Sequence, residues 1–338
     1  MEPDQQATLL IVEDNYDLRS GLKDILTYEG FEVLTASNGL EGLQAMSTHR
    51  PDLIISDIGM PEMDGFAFFD AVRKRPDGIT IPFIFLTARG DREDVFRGRS
   101  LGVEDYLVKP VSRDELVIAI HSRLQRFRQL QLAQLETAYQ AALTALANGI
   151  EVRDRYTRGH VERVTAYSLA IAAQLGLNGS HLEGLRYGAI LHDIGKIFIS
   201  EAILTKTSSL DSDEWEVMKR HPSHGAEMIK DIPYLAVAVP IIHSHHERWD
   251  GAGYPARLKG EAIPLEARIV AVADSFDAIT TDRPYHHAVP LEAAYTEIYK
   301  GMGGLYDPQV VGLFHQAWQS GKIQAIAAGW EYREGGNV

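Results

Sequence analysis

The stretch DLIISDIGMPEMDG, residues 52–65, decides how the first half of the chain is read. Leu53, Ile54 and Ile55 form a nearly unbroken apolar run that ends on an acid, Asp57, followed by Gly and Pro. Such a run reads as a short strand covered on both faces, closed by a turn. TLLIV (8–12) and PFIFL (82–86) are runs of the same kind, and EVLTA (32–36) and DYLVK (105–109) supply two further strands. Helical spacings lie between them, among them Leu18, Leu22, Ile25, Leu26 and Leu40, Leu43, Met46. Five strands alternating with helices predict an α/β, doubly wound, five-stranded parallel sheet over residues 1–121. In such sheets ligands bind at the carboxyl ends of the strands.

The chain has 338 residues, enough for two domains, and a net charge of −14 with a pI near 5.4. That balance argues against a surface that binds nucleic acid by neutralising phosphates, so DNA is not expected as a partner. With no cysteine, disulfides and thiolate-ligated zinc are excluded. The opening MEPDQQATLLIVEDN lacks the segments of a signal peptide, and no apolar run approaches the length of a membrane span. A cytoplasmic location with no membrane partner is the expectation.

Polar residues follow the predicted strands: Glu13 and Asp14 the first, Asp57 the third, Thr87 the fourth, Lys109 and Pro110 the fifth. Three carboxylates on one sheet edge repel unless a hard cation such as Mg²⁺ sits among them. Thr87 and Lys109 then offer a hydroxyl and an ammonium to phosphoryl oxygens. With DIGMPEMDG and the later VKP, the segment resembles the receiver domain of two-component response regulators. The resemblance implies phosphorylation of Asp57, Mg²⁺ held by Glu13, Asp14 and Asp57, and a switch made of Thr87, Lys109 and Tyr106. It also implies a sensor histidine kinase or phosphotransfer protein as partner.

From about Arg113 to Ile150 the chain reads as one long helix, with no Pro and no Gly before Gly149. Ile120, Leu124 and Phe127 keep a heptad spacing, and Leu132, Leu135, Tyr139, Ala142 and Leu146 keep another, offset by one residue. Residues 122–150 are therefore expected to be a linker helix that forms a coiled coil in a homodimer.

Residues 151–330 carry helical rather than strand patterns, such as Val164, Leu169, Ile171, Ala172, Leu175, and predict an all-α domain. The last residues, 331–338, read as a frayed tail. Along this half lie His160, the doublet His192-Asp193, His221, the doublet His245-His246, and Asp274, each in a stretch that reads as helix. Imidazoles with hard oxygen donors suit Fe, Mn, Ni or Zn, and a pair of ions can clamp an in-line displacement at phosphorus. In the doublets, Asp193 could bridge two ions while His192 holds one, and His245 and His246 could each reach a different ion. Lys196, one turn past His192, could bind a phosphate or a water. Glu247 and Asp250 are expected to hold the imidazoles' other N–H groups, and weaker site roles fall to His224 and His243.

In order, the motifs are HDIGK (192–196), HPSHG (221–225), HHERWDGAGYP (245–255), ADSFDA (273–278) and YDP (306–308). Together they resemble the HD-GYP branch of the HD phosphohydrolases, whose members hydrolyse cyclic di-GMP. The resemblance implies His160, His192, Asp193, His221, His245, His246 and Asp274 as metal ligands, with Lys196 beside them. It implies Gly253, Tyr254 and Pro255 as a substrate-binding loop and Arg283 as a phosphate contact. Some members carry a Glu four residues before the first His and hold a third metal; here that position is Tyr156, which favours two ions. His286, followed by His287, stands where members often have a basic residue and is expected to assist Arg283.

The expected protein is a response regulator whose two-metal output domain converts cyclic di-GMP to linear pGpG, and on to GMP, under control of Asp57. Asp193 and Lys196 would flank the attacking water. The alternative is a catalytically weak adaptor that binds metal or dinucleotide and acts by protein contact.

Overall fold

A computed structural model describes residues 7–88, 105–151, 159–206, 208–282 and 287–335. The chain divides into two compact units, Met1–Leu135 and Glu136–Val338. In the first, strands β1 (Thr8–Val12), β2 (Glu32–Ala36), β3 (Leu53–Asp57), β4 (Phe83–Thr87) and β5 (Asp105–Val108) form one parallel sheet of order β2-β1-β3-β4-β5. Helices α1 (Tyr16–Tyr28), α2 (Gly39–Thr48) and α3 (Gly65–Arg73) connect them. Each begins at a side chain that accepts a backbone N–H of the first turn: Asn15 from Leu18, Asn38 from Glu41 and Asp64 from Ala67.

Period-two alternation divides the apolar residues between the two faces of the sheet. Leu10, Val12, Ile54, Phe83 and Phe85 pack with Phe66, Phe68 and Phe69 of α3. Leu9, Ile11, Leu53, Ile55, Ile84 and Leu86 pack with Leu22 and Leu26 of α1 and with Leu116, Ile120 and Leu124. Each fully buried aliphatic side chain of this kind contributes roughly 1.5–3 kcal/mol.

Leu116, Ile120 and Leu124 belong to α4, a single helix from Arg113 to Glu151. The heptad reading of its first part is corrected here: Ile120 and Leu124 are buried against their own sheet rather than offered to a partner. Residues 128–138 have no buried position, and Leu130, Leu132, Leu135 and Leu146 are exposed. Leu143 and Ala147 are buried in the second unit's core.

That unit is helical: α5 (His160–Ala172), α6 (Gly179–Leu191), α7 (Glu201–Leu204), α8 (Ser212–Met218), α9 (His221–Ile229), α10 (Val239–Ser244), α11 (Leu265–Thr280), α12 (Leu291–Lys300), α13 (Pro308–Gln319) and α14 (Lys322–Gly335). The last of these takes in the first residues of the stretch read as a tail. Helix α11, with Ile269, Val270, Val272, Ala273 and Phe276 fully buried, runs through the middle and packs on α5, α6, α10, α12 and α13. Among the described residues no helix is long and apolar enough to cross a membrane.

Candidate metal centre

Helix α6 ends at Leu191, and the chain tightens into a 3₁₀ turn, Ile194–Phe198. Gly195 permits a close approach at this turn. A Cβ there would stand 1.9 Å from the carbonyl oxygen of His221 and 2.6 Å from the amide nitrogen of Gly225. The 192–196 turn is thus pressed backbone to backbone against α9. Contrary to the helical expectation, His192 caps α6, Asp193 and Lys196 lie at the 3₁₀ turn, and His245 and His246 follow the end of α10.

The sequence-named residues converge in two groups. Asp193, His221, His245 and His246 offer atoms that all lie within 4.8 Å of one another, as do His160, His192 and Asp274. His245 and His246 therefore fall in one group, which corrects the expectation that they serve different ions; their ring centroids are 4.1 Å apart. Asp193 faces both groups. Its Oδ1 is 3.1 Å from His221 Nε2 and 3.8 Å from His245 Nε2, and its Oδ2 is 3.4 Å from His192 Nε2. Lys196 Nζ sits 2.8 Å from Oδ2.

The imidazoles are oriented by their far nitrogens. His192 Nδ1 donates to Ala189 O at 2.8 Å, His221 Nδ1 to Met218 O at 2.8 Å, and His245 Nδ1 to Ile242 O at 2.7 Å. A carbonyl only accepts, so each Nδ1 carries the proton, and a neutral ring presents the Nε2 lone pair inward. His221 Nε2 and His245 Nε2 face each other at 3.4 Å, an arrangement of two acceptors that calls for a cation between or beside them. Donor set and orientation fit divalent transition metals.

The electrostatics agree for His245 and His246, whereas the nearby carboxylates draw His192 toward its charged form. Burial, reinforced by neighbouring rings, drives His245 well below the usual imidazole range and His246 down to about 3. Burial also opposes charge on His192, yet Asp193 and Asp274 outweigh it and lift that ring to about 9. Burial would raise Asp193, but Lys196, His192 and His221 hold it well below the carboxylate range.

Two supporting groups are not among the residues that the sequence singles out. Asp277, fully buried, accepts from His160 Nδ1 at 2.7 Å and from Arg163 Nε at 2.6 Å and Nη2 at 3.1 Å. It stands three residues after Asp274 on α11, on the same face, and that spacing could have flagged it. Glu151, the last residue of α4, is 6 % exposed, and burial pushes its carboxyl up to about 7 despite nearby His160 and His192.

The 247–258 segment is tied down by its own acids rather than by the imidazoles. Glu247 accepts from Ala256 N at 2.7 Å and Leu258 N at 3.0 Å, and Asp250 from Ala252 N at 2.9 Å. Gly253 is required by contact: a Cβ would lie 2.4 Å from Arg248 N. The Tyr254 ring stacks on His246 with centroids 4.8 Å apart. Gly253, Tyr254 and Pro255 line a cleft of about 530 Å³ together with Lys219, Arg220 and Arg257. His224 packs its ring on Phe198, and neither it nor His243 joins a group. Tyr156, Arg283 and His286 lie outside the described residues.

In the first unit, Glu13, Asp14 and Asp57 offer oxygens within 4.8 Å of one another. Lys109 Nζ reaches Glu13 Oε2 at 2.8 Å and Asp57 Oδ1 at 2.9 Å. Burial opposes its charge, but those two carboxylates raise its pKa; burial raises that of Glu13. Asp57 pairs in register with Leu86, so Thr87 stands one residue further along the neighbouring strand. Tyr106 stacks on Phe85 with centroids 5.8 Å apart.

Known proteins share this organisation. The response regulator receiver domain family matches residues 9–121, and the HD domain family matches residues 144–310. Cyclic di-GMP phosphodiesterase response regulator RpfG of Xanthomonas campestris pv. campestris is 38% identical over 323 residues, covering 90% of this chain and 85% of that protein. A cyclic di-GMP phosphodiesterase of Thermotoga maritima is 34% identical over 332 residues, covering 91% and 89%. The 3'3'-cGAMP-specific phosphodiesterase 2 of Vibrio cholerae is 38% identical over 175 residues, 51% of this chain and 34% of that protein. Identity that runs through both units and most of two relatives' length places this chain in the family of response regulators that join a receiver domain to an HD domain.

Proposed function

We propose that this response regulator hydrolyses cyclic di-GMP at a two-metal centre in its second unit, switched by phosphorylation of Asp57. The observation that carries the reading is Asp193, whose two oxygens face two different groups of metal-type ligands. His160, His192 and Asp274 would hold one ion; His221, His245 and His246 the other; Asp193 would serve both. Fe, Mn, Ni or Zn suit these donors. When bound, such a pair of ions lowers the pKa of water and neutralises charge on a phosphodiester. The chain's own part is positional. Lys196 fixes Asp193 Oδ2 and keeps a cation at the edge of the centre. The cleft beside Tyr254, with Lys219, Arg220 and Arg257, offers cations and a ring to a dinucleotide. Arg283, with His286, is assigned to a substrate phosphate. In the first unit Glu13, Asp14 and Asp57 would hold Mg²⁺, Thr87, Lys109 and Tyr106 would form the switch, and a sensor histidine kinase or phosphotransfer protein would supply the phosphoryl group. The exposed Leu132, Leu135 and Leu146 support a homodimer.

The adaptor reading is disfavoured, because the relatives that match through both units are cyclic di-GMP phosphodiesterases. Incubation of metal-loaded protein with cyclic di-GMP and, separately, 3'3'-cGAMP, followed by product chromatography, tests the reading. Linear pGpG from cyclic di-GMP, absent in Asp193→Ala, is expected. Turnover of 3'3'-cGAMP alone would overturn the substrate, and near wild-type turnover in Asp193→Ala would overturn the centre.

A further inference from the structure

Glu151 is a buried acid that none of the roles above uses. Among the described residues its Oε1 has no hydrogen-bond partner, and it has no exposure to solvent, although a buried carboxylate normally has both oxygens satisfied. The nearest base is His160 Nε2, 3.7 Å away, and Asp274 Oδ1 approaches the same nitrogen to 3.6 Å. His160 Nδ1 is engaged by Asp277, so Nε2 is the ring atom left to serve an ion, and both carboxylates stand on its side.

Both separations are too long for a hydrogen bond. They suit a different relationship. Two donor atoms each about 2.1 Å from one ion, and about 120° apart around it, are separated by about 3.6 Å. Asp274 and Glu151 therefore stand to His160 as co-ligands stand to one another. Glu151 also feels the charges of His192, Asp193 and Lys196, so it borders the centre rather than a remote part of the core. It lies outside the mutually close trio of His160, His192 and Asp274, which it approaches from the His160 side, so its carboxylate would close toward the trio when the ion binds.

We propose that Glu151 is a fifth protein ligand of the ion held by His160, His192, Asp274 and the shared Asp193; the proposal rests on the two-metal reading above. The end of α4 would thereby be part of the coordination shell. With Glu151 that shell would hold three carboxylates, counting the shared Asp193, against one in the other group, and would be harder in its preference among divalent ions.

The test is metal titration of the full chain, stripped and then held in excess Mg²⁺ so that the first unit's carboxylates are occupied. Calorimetry with Mn²⁺ is expected to show two sites in the wild type. In Glu151→Gln, which keeps the shape, one site should weaken about tenfold or more while the other is unchanged. Thermal melting of the metal-free variant separates a ligand from a structural role. Removing a buried unpaired carboxylate should leave the metal-free melting temperature equal or higher, whereas a packing role would lower it. Two sites of wild-type affinity in Glu151→Gln, or a lowered metal-free melting temperature with both sites intact, would overturn the proposal alone. A wild type that takes up no ion in the second unit would overturn the two-metal reading itself.

Discussion

Asp277 Oδ2 lies 2.7 Å from His160 Nδ1, and the same carboxylate is gripped by the guanidinium of Arg163, so one buried acid orients an imidazole and neutralises a buried cation. Burial would raise the Asp277 pKa, but His160 and Arg163 outweigh it and hold it below the usual carboxylate value. A depressed folded-state pKa stabilises the protein above the unfolded value, near 4, and that contribution fades as pH falls through the folded value. Asp277→Asn strands Arg163 and should cost about 3–5 kcal/mol at pH 7 in denaturant unfolding of the metal-free protein. The gap between variant and wild type should narrow below pH 4. An equal gap at pH 7 and pH 3 would refute the charge-pair account.

Gly195 is fixed by approach rather than by dihedral angle. Gly195→Ala puts a methyl against backbone of α9 that no rotamer can move, and should cost roughly 1–3 kcal/mol or more. Because the shift falls between Asp193 and His221, metal affinity should drop with stability. Wild-type melting and metal uptake in this variant would show that the two backbones can separate freely.

Loading with a small phosphodonor and Mg²⁺ should add one phosphoryl group, absent in Asp57→Asn. Lys109→Ala removes the ammonium that bridges Glu13 and Asp57, so it should still accept the phosphoryl group while failing to change output activity. Intact mass spectrometry beside a turnover assay reads both. A wild type whose mass never changes, under conditions that load other receivers, would sink the assignment.

Leu135→Glu with Leu146→Glu should shift a dimer to monomer in light scattering at tens of micromolar, without loss of helical circular dichroism, since both side chains are exposed. A monomeric wild type at that concentration would end the coiled-coil reading.

The sheet was legible because strands buried on both faces leave unbroken apolar runs such as Leu53–Ile55, and the polar strand ends stood out against them. The histidine groups were legible from residue type and order. Their division was not: whether His245 and His246 share an ion depends on how the chain leaves α10, a tertiary outcome with no periodicity. Ile120 and Leu124 misled for a related reason, since a heptad says that an apolar surface exists and not which surface covers it. Glu151 was invisible because one acid near a helix end is the commonest of surface features until its burial is known.

The eleven residues 128–138 of α4 hold no buried position, so their number is constrained by geometry and not by packing. A helix is a ruler and a screw at once: each added residue lengthens it by about 1.5 Å and turns everything beyond by about 100°. Seven added residues nearly restore the angular phase, about 20° short, while lengthening the rod by about 10 Å. Three or four added residues change length less and phase more. Chains with a whole inserted heptad should thus keep Leu132, Leu135 and Leu146 on one stripe, and chains with half a heptad should split it, so length polymorphism in this segment ought to come in sevens.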